Sequence, residues 1–226
     1  MRLFLFLLAF SISFPLISFS QDLNQVDDMG RKQGKWKKTY NNGVLTYEGQ
    51  FRNDQPFGVF TYYYENGEIK AETKFSDDGI IAYTKIYHQN GLPMADGKYI
   101  NQLRDSSWNF YSDTDGKRIA QENYKKGKLN GKSILYYADS EIEAEITTYE
   151  NDKREGAYFK YFPGGEIMTE GYYKDDKLNG DFRVYFENGS VEIKGRYNNG
   201  LKEGNWEYFD ESGIPITEEK YKEETP

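Results

Sequence analysis

The chain has 226 residues, 29 basic against 37 acidic side chains, a formal net charge of −8 and aromatics at 17% of positions. That length makes one ordinary domain or one repeat array, and the acidic balance argues against nucleic acid as a partner, because phosphate binding displaces counterions with a surplus of Lys and Arg. The absence of cysteine excludes disulfides, thiolate zinc sites and cysteine nucleophiles, and a single histidine, His88, excludes multi-histidine metal sites.

The chain opens on Met1-Arg2, a short charged start, followed by an unbroken run of apolar and small residues over Leu3–Phe14. Pro15 then precedes Ser18-Phe19-Ser20, which places small residues at the −3 and −1 positions of a cut before Gln21. This is the layout of a secretory signal peptide, and the apolar stretch is slightly short for a membrane span. The expectation is a signal peptide over residues 1–20, cleaved after Ser20. The mature chain is then exported, periplasmic or extracellular, and begins with a polar lead-in over residues 21–33.

From Gly34 onward the sequence repeats itself. The turn dipeptides Asn42-Gly43, Asn66-Gly67, Asn90-Gly91, Asp115-Gly116, Asp139-Ser140, Gly164-Gly165, Asn188-Gly189 and Ser212-Gly213 follow one another at spacings of 24, 24, 25, 24, 25, 24 and 24. Gly34, Gly58, Ala82, Gly131, Gly156, Gly180 or Gly204 stands nine residues before the second member of each pair; the fourth unit, with one extra turn residue, has Ser106 ten residues back. Eight residues after the pair stands an aromatic in seven units: Phe51, Phe75, Tyr99, Tyr124, Tyr173, Tyr197 and Tyr221. In the fifth, Tyr149 comes one residue late. These are eight repeats of 24–25 residues over 34–221, ending in a charged tail over 222–226.

Each unit has the chemistry of a β-hairpin. Asn-Gly between extended aromatic and β-branched runs predicts a two-residue type I′ turn, which needs positive φ at both positions. Polar links such as "KDDKLNG" suit the turn into the next hairpin. Second strands alternate with period two: Ile69, Ala71, Thr73 and Phe75 share one face, Lys70, Glu72 and Lys74 the other. A glycine recurs on the apolar face at Gly49, Gly97, Gly171 and Gly195, leaving a gap for an aromatic ring from the neighbouring strand. First strands open that face with Trp36, Phe60, Trp108, Tyr158, Phe182 and Trp206. An isolated hairpin is marginal in water, so the units must stack. The fold class is all-β: an elongated array of consecutive antiparallel β-hairpins forming a twisted sheet or solenoid, with no helix apart from the N-terminal segment.

The stretches "GVFTYYYENGEIKAETKF", "GAYFKYFPGGEIMTEGYYKDDKLNG" and "GNWEYFDESG" resemble the MORN repeat, in the bacterial variant found in exported repeat proteins and in antitoxin-type proteins. The resemblance covers about residues 34–221. It departs from the pattern in the third and fifth units, where Ala82, Thr84, Ser133 and Ser140 replace glycine or aromatic positions and a bulge near Thr147–Tyr149 is expected. The resemblance implies a non-catalytic scaffold for protein contacts, with membrane contact less securely associated, no cofactor, and an antitoxin-like or immunity-like role.

Candidate binding residues form a tyrosine row five positions after each unit opening: Tyr63, Tyr87, Tyr111, Tyr136, Tyr161 and Tyr185, completed by Phe209. Alternation puts them opposite Phe60 and Phe182, beside Thr61, Lys85, Asn109 and Arg183. Such a row either presents an aromatic ladder to a protein segment or sugar chain, or stacks internally to fix register. Asp77-Asp78-Gly79, Asp113-Thr114-Asp115-Gly116 and Asp175-Asp176 supply too few spaced ligands for a calcium loop and sit where turns want aspartate. Glu141 and Glu143 share a strand face without an evident cleft for acid–base work. His88 occupies a position held by Tyr64 and Phe162 in other units and reads as an aromatic substitute. The function expected is an exported scaffold binding an unknown protein; the alternative is a carbohydrate or cell-wall binding module, which the period of 24 and the three tryptophans support less well.

Overall fold

The computed structural model describes residues 22–138 and 140–224. The expected signal peptide over 1–20 and its cleavage point lie outside the described residues. The first hairpins run through β1 (Gln25–Val26), β2 (Lys32–Thr39), β3 (Leu45–Arg52), β4 (Gln55–Tyr63), β5 (Ile69–Phe75), β6 (Ile81–Tyr87) and β7 (Pro93–Ile100). The middle contains β8 (Leu103–Tyr111), β9 (Arg118–Lys125), β10 (Lys128–Tyr136), β11 (Glu143–Glu150) and β12 (Lys153–Tyr161). The last part contains β13 (Ile167–Lys174), β14 (Lys177–Leu178), β15 (Gly180–Tyr185), β16 (Val191–Asn198), β17 (Leu201–Phe209) and β18 (Pro215–Ile216), then helix α1 (Glu218–Glu224).

All pairings are antiparallel and follow chain order, β14 and β15 both lying along β13. The eighteen strands make one open sheet. Fifteen of them have six residues or more, so at roughly 4.8 Å per strand the sheet extends about 70 Å across its strands. The layer is single. Among the described residues the buried hydrophobic side chains are only Phe60, Ala82, Ala95, Trp108, Ile146 and Tyr208, joined by four threonines.

Two local expectations are corrected. The Asn-Gly turns inside the units are not type I′. The Gly43 N–H donates to the Tyr40 carbonyl and the Tyr40 N–H to the Val44 carbonyl, and in that turn only Gly43 has positive φ (83°). This is a three-residue loop, a type I turn closed by a left-handed glycine. Asparagine is used for its side chain: Asn42 Oδ1 accepts from the Val44 N–H, and Asn42 Nδ2 donates to the Glu65 carbonyl in the next turn. The two-residue turns with both φ positive are instead links between units, at Asn53-Asp54, Asn101-Gln102, Lys126-Gly127, Asn151-Asp152, Asp175-Asp176 and Asn199-Gly200.

The second correction is α1, which takes residues assigned to the last strand and tail. Thr217 caps it, its Oγ1 accepting from the Lys220 N–H at 3.2 Å, and Glu218 pairs with Lys222 one turn on at 2.9 Å. Tyr221 keeps its place in the aromatic pattern from this helix, its ring 5.0 Å from that of Tyr208. The lead-in is not all coil either, since β1 pairs with β2.

In four of the units, the second, fourth, seventh and eighth, the aromatic face is built by a ring lying on a glycine of the unit before. A Cβ added at Gly49 would stand 2.4 Å from the Phe60 ring, at Gly97 2.3 Å from Trp108, at Gly171 2.9 Å from Phe182 and at Gly195 2.3 Å from Trp206. The backbone allows this approach through a bulge. Between the pairs Glu48↔Thr61 and Gln50↔Phe57, Gly49 alone faces the three residues Gly58, Val59 and Phe60, and Gly58 takes positive φ (69°). The same bulge recurs at Ser106, Gly131, Gly156 and Gly204, and the one expected near Thr147–Tyr149 is its copy between β11 and β12. The rings then meet edge to face: Trp36 with Phe51 at 5.8 Å, Phe51 with Phe60 at 5.1 Å, Phe60 with Phe75 at 5.2 Å.

Gly97→Ala should lower stability by about 2–3 kcal/mol, because the methyl must displace the fully buried Trp108. Gly204→Ala, which has positive φ but open space, should cost about 1 kcal/mol through backbone strain alone. Urea unfolding of both variants checks the order; equal losses would remove the ring-on-glycine account.

Candidate functional site

The tyrosine row lies on the face opposite the ring ladder, and every member is half-buried. Four of the six hydroxyls donate to a carboxylate fifteen residues earlier, on the second strand of the preceding unit. Tyr63 reaches Glu48 Oε1 at 2.8 Å, Tyr87 reaches Glu72 Oε2 at 2.9 Å, Tyr111 reaches Asp96 Oδ2 at 2.5 Å and Tyr185 reaches Glu170 Oε1 at 2.7 Å. Where the acid is absent the chemistry changes with it. The position fifteen before Tyr136 is Gln121, and the Arg118 guanidinium lies 4.4 Å from the Tyr136 ring centre. The position before Phe209 is Lys194, whose ammonium stands 5.1 Å from that ring. Tyr161, which follows the lengthened fifth turn, lies near Glu143, and burial raises its pKa before that charge does.

These pairs tune one another. Glu48 is held below the usual carboxylate range, first by the Tyr63 hydroxyl and then by Lys37, 3.0 Å away. Burial and then the Asp96 hydrogen bond push Tyr111 up to about 12. For Glu170, burial raises the pKa, but the hydrogen bonds from Arg183 and Tyr185 outweigh it and the net shift is downward. In the Tyr63–Glu48 and Tyr185–Glu170 pairs the phenol is pushed up and the acid down, and all four bonds tie neighbouring units together.

A second set of bonds ties the turns. Tyr40 donates to the Tyr63 carbonyl at 2.9 Å and Tyr64 to the Tyr87 carbonyl at 2.7 Å, each 23 residues on. His88 makes the corresponding contact to the Tyr111 carbonyl at 3.3 Å. Since a carbonyl only accepts, Nε2 carries the proton. His88 therefore stands in for a tyrosine in both place and bond.

The aspartates that invited a calcium reading are spent on turns. Asp175 pairs with Lys153 at 2.7 Å, Asp176 accepts from the Arg154 N–H, Asp78 from the Ile80 N–H and Asp115 from the Lys117 N–H. Among the described residues no group of three His, Asp or Glu could hold a metal ion. Glu143 is fixed in the ladder opposite Tyr136.

Cations cover the ring ladder two residues before four of the eight unit openings; Pro56, Ile80, Leu129 and Leu178 hold that position in the others. Lys32 Nζ stands 4.9 Å from the Trp36 ring centre, the Arg104 guanidinium 4.6 Å from Trp108, Arg154 4.3 Å from Tyr173 and Lys202 4.3 Å from Trp206. Sequence reading missed these partners, although their spacing from the unit opening is visible in the repeat. The ladder is interrupted where rings give way to Thr84 and Ser133. The first interruption opens a cavity of about 480 Å³ on the aromatic face; at the second, Glu122 faces Ser133 and accepts the Tyr124 hydroxyl.

Comparison with known families matches five stretches, residues 32–53, 58–77, 154–175, 178–199 and 202–223, to the family described as the MORN repeat variant. These are the first, second, sixth, seventh and eighth units. The unmatched middle contains the unit without a bulge, β6–β7, and the two with lengthened turns, β8–β9 and β10–β11. Comparison with curated proteins finds no match.

Stability should fall as pH rises from about 10 to about 12. A phenol whose folded pKa lies above its unfolded value contributes fully below pH 10 and loses its contribution through the folded pKa. Tyr111→Phe should cost about 1 kcal/mol at pH 7 and flatten that fall, read as urea midpoints across the range. An unchanged midpoint at pH 7 with an unchanged alkaline profile would show that the row does not stabilise the sheet.

Proposed function

We propose that the chain is an exported, non-catalytic scaffold that holds a protein partner along its sheet, acting in the envelope or outside the cell. An immunity-like role, shielding against a toxin that acts in the envelope, is the finer form of this reading. The observation that carries it is the single-layer architecture: a hairpin array with no second layer among the described residues leaves both faces of a sheet about 70 Å wide open to a partner. The match to the MORN repeat variant, a repeat module for protein and membrane interaction, supports the same class. The layout of residues 1–20 supports export.

The two faces contribute differently. On the charged face the row hydroxyls of Tyr63, Tyr87, Tyr111 and Tyr185 are bonded within the chain, so these rings offer contact area more than hydrogen bonds. The formal charge of −8 steers basic or neutral partners toward the array and slows approach to anionic lipid.

Affinity capture with the mature chain from an envelope fraction should recover a protein partner, and N-terminal sequencing of the exported form should begin at Gln21. Retention on peptidoglycan with no protein recovered would replace the scaffold with a glycan-binding module. A chain still starting at Met1 in the cytoplasm would overturn the placement.

A further inference from the structure

The third unit departs from the repeat at two positions that act together. In the second, fourth, seventh and eighth units the ring lies on a glycine of the unit before; here Thr73 stands at the glycine position and Thr84 at the ring position. Their hydroxyls bond to each other at 2.9 Å, buried at 7% and 5% exposure. The bulge is also lost, since β5 and β6 pair continuously from Ala71↔Ile86 to Phe75↔Ala82, and Ala82, unlike Gly58, does not take positive φ. A ring is therefore missing from the ladder with nothing of equal size in its place.

What remains is the cavity of about 480 Å³. Thr73 and Thr84 line it together with Ala71 and Ala82, and the rings of Phe75 and Tyr99 are part of its wall. Those two rings are the neighbours that a ring at position 84 would meet. Phe60 sits edge to face between Phe51 and Phe75 at 5.1 and 5.2 Å, and Trp108 stands 4.9 Å from Tyr99. At the rim, Ile80, 44% exposed, occupies the position from which Arg104 and Lys202 cover their rings.

We infer that this cavity receives a planar aromatic side chain, phenylalanine or tryptophan, presented by the protein partner, which completes the ladder between Phe75 and Tyr99. The array specifies the occupant through its own repeats: the same wall residues hold an endogenous ring in the neighbouring units. The second interruption, at Ser133, does not share this chemistry, because a carboxylate faces it. The inference rests on the scaffold reading above for the source of the ring.

The test is titration of the isotopically labelled protein with N-acetyl-tryptophanamide and N-acetyl-phenylalaninamide, followed through the amide signals of Thr73, Ala82 and Thr84. Saturable shifts at these amides are expected, at least ten-fold weaker with N-acetyl-leucinamide. The double variant Thr73→Gly/Thr84→Phe, which rebuilds the arrangement of Gly49 and Phe60, should weaken binding at least ten-fold. Thr84→Leu, a smaller change, fills the cavity should the double variant fold poorly, and should weaken binding at least five-fold. No saturable shift in the unaltered protein, or equal binding of the leucine analogue, would overturn the assignment. A captured partner held equally well by the filled variant would overturn it too, leaving the scaffold standing. Probe binding with no captured partner would keep the cavity and remove the scaffold.

Discussion

The structure depends on one recurring contact, an aromatic ring of one unit pressed onto the bare backbone of the unit before, made at Gly49, Gly97, Gly171 and Gly195. A ring face against a glycine Cα comes closer than any side chain would permit. The approach is possible only because the first strand bulges beside it: three residues, beginning with Gly58, stand opposite Gly49 alone. Glycine is thus required twice for different reasons, at Gly49 for space and at Gly58 for positive φ. The bulge and the ring are two residues apart, which ties the twist of the sheet to its packing.

The opposite face joins the same neighbours by different means. Tyrosines reach back fifteen residues to carboxylates, and turn aromatics reach forward 23 residues to carbonyls. Both sets of bonds, like the ring contacts, join a unit to the next and go no further. Stability in such an array is a sum of unit and nearest-neighbour terms, so a weak junction weakens the sheet locally. The open ends are handled separately. At the C-terminal end β18 has only two residues and α1 brings Tyr221 onto Tyr208; at the N-terminal end the short β1 pairs with β2. Short end strands blunt an edge that would otherwise pair with other chains.

Much of this was legible in the sequence, and the failures have physical causes. Period-two alternation and recurrent glycines defined the hairpins and the ring-on-glycine gap, because both are local demands repeated in nearly every unit. The turn type was misread because Asn-Gly serves both a type I′ turn and a type I turn closed by a left-handed glycine; the choice was made by Asn42 bonding across to the next turn. Helix α1 was misread because Tyr221 kept the spacing of the array, while Thr217 and the Glu218–Lys222 pair favoured a helix locally. The carboxylate partners of the row were hidden by distance along the chain, though their constant spacing of fifteen was present to be counted. The register of β3 against β4, bulge included, is what joins Glu48 to Tyr63.

The same logic bears on where a repeat array can carry specificity. A position that must satisfy its neighbours in every copy is not free to vary, and the ring and its glycine are the least free of all. At one junction the glycine alone is replaced and the ring kept, Thr147 opposite Tyr158; at others both change together. Thr73 and Thr84 are such a joint change, compensated by a hydrogen bond between the two new hydroxyls and by loss of the bulge that had served the ring. A threonine pair that merely repaired the junction would have to fill the space the ring vacated, as Ser133 and Glu122 come nearer to doing with a long carboxylate side chain. It leaves that space open, walled by rings arranged to meet another ring. The departure from the repeat is therefore where this otherwise self-complementary ladder offers a face that its own sequence does not complete.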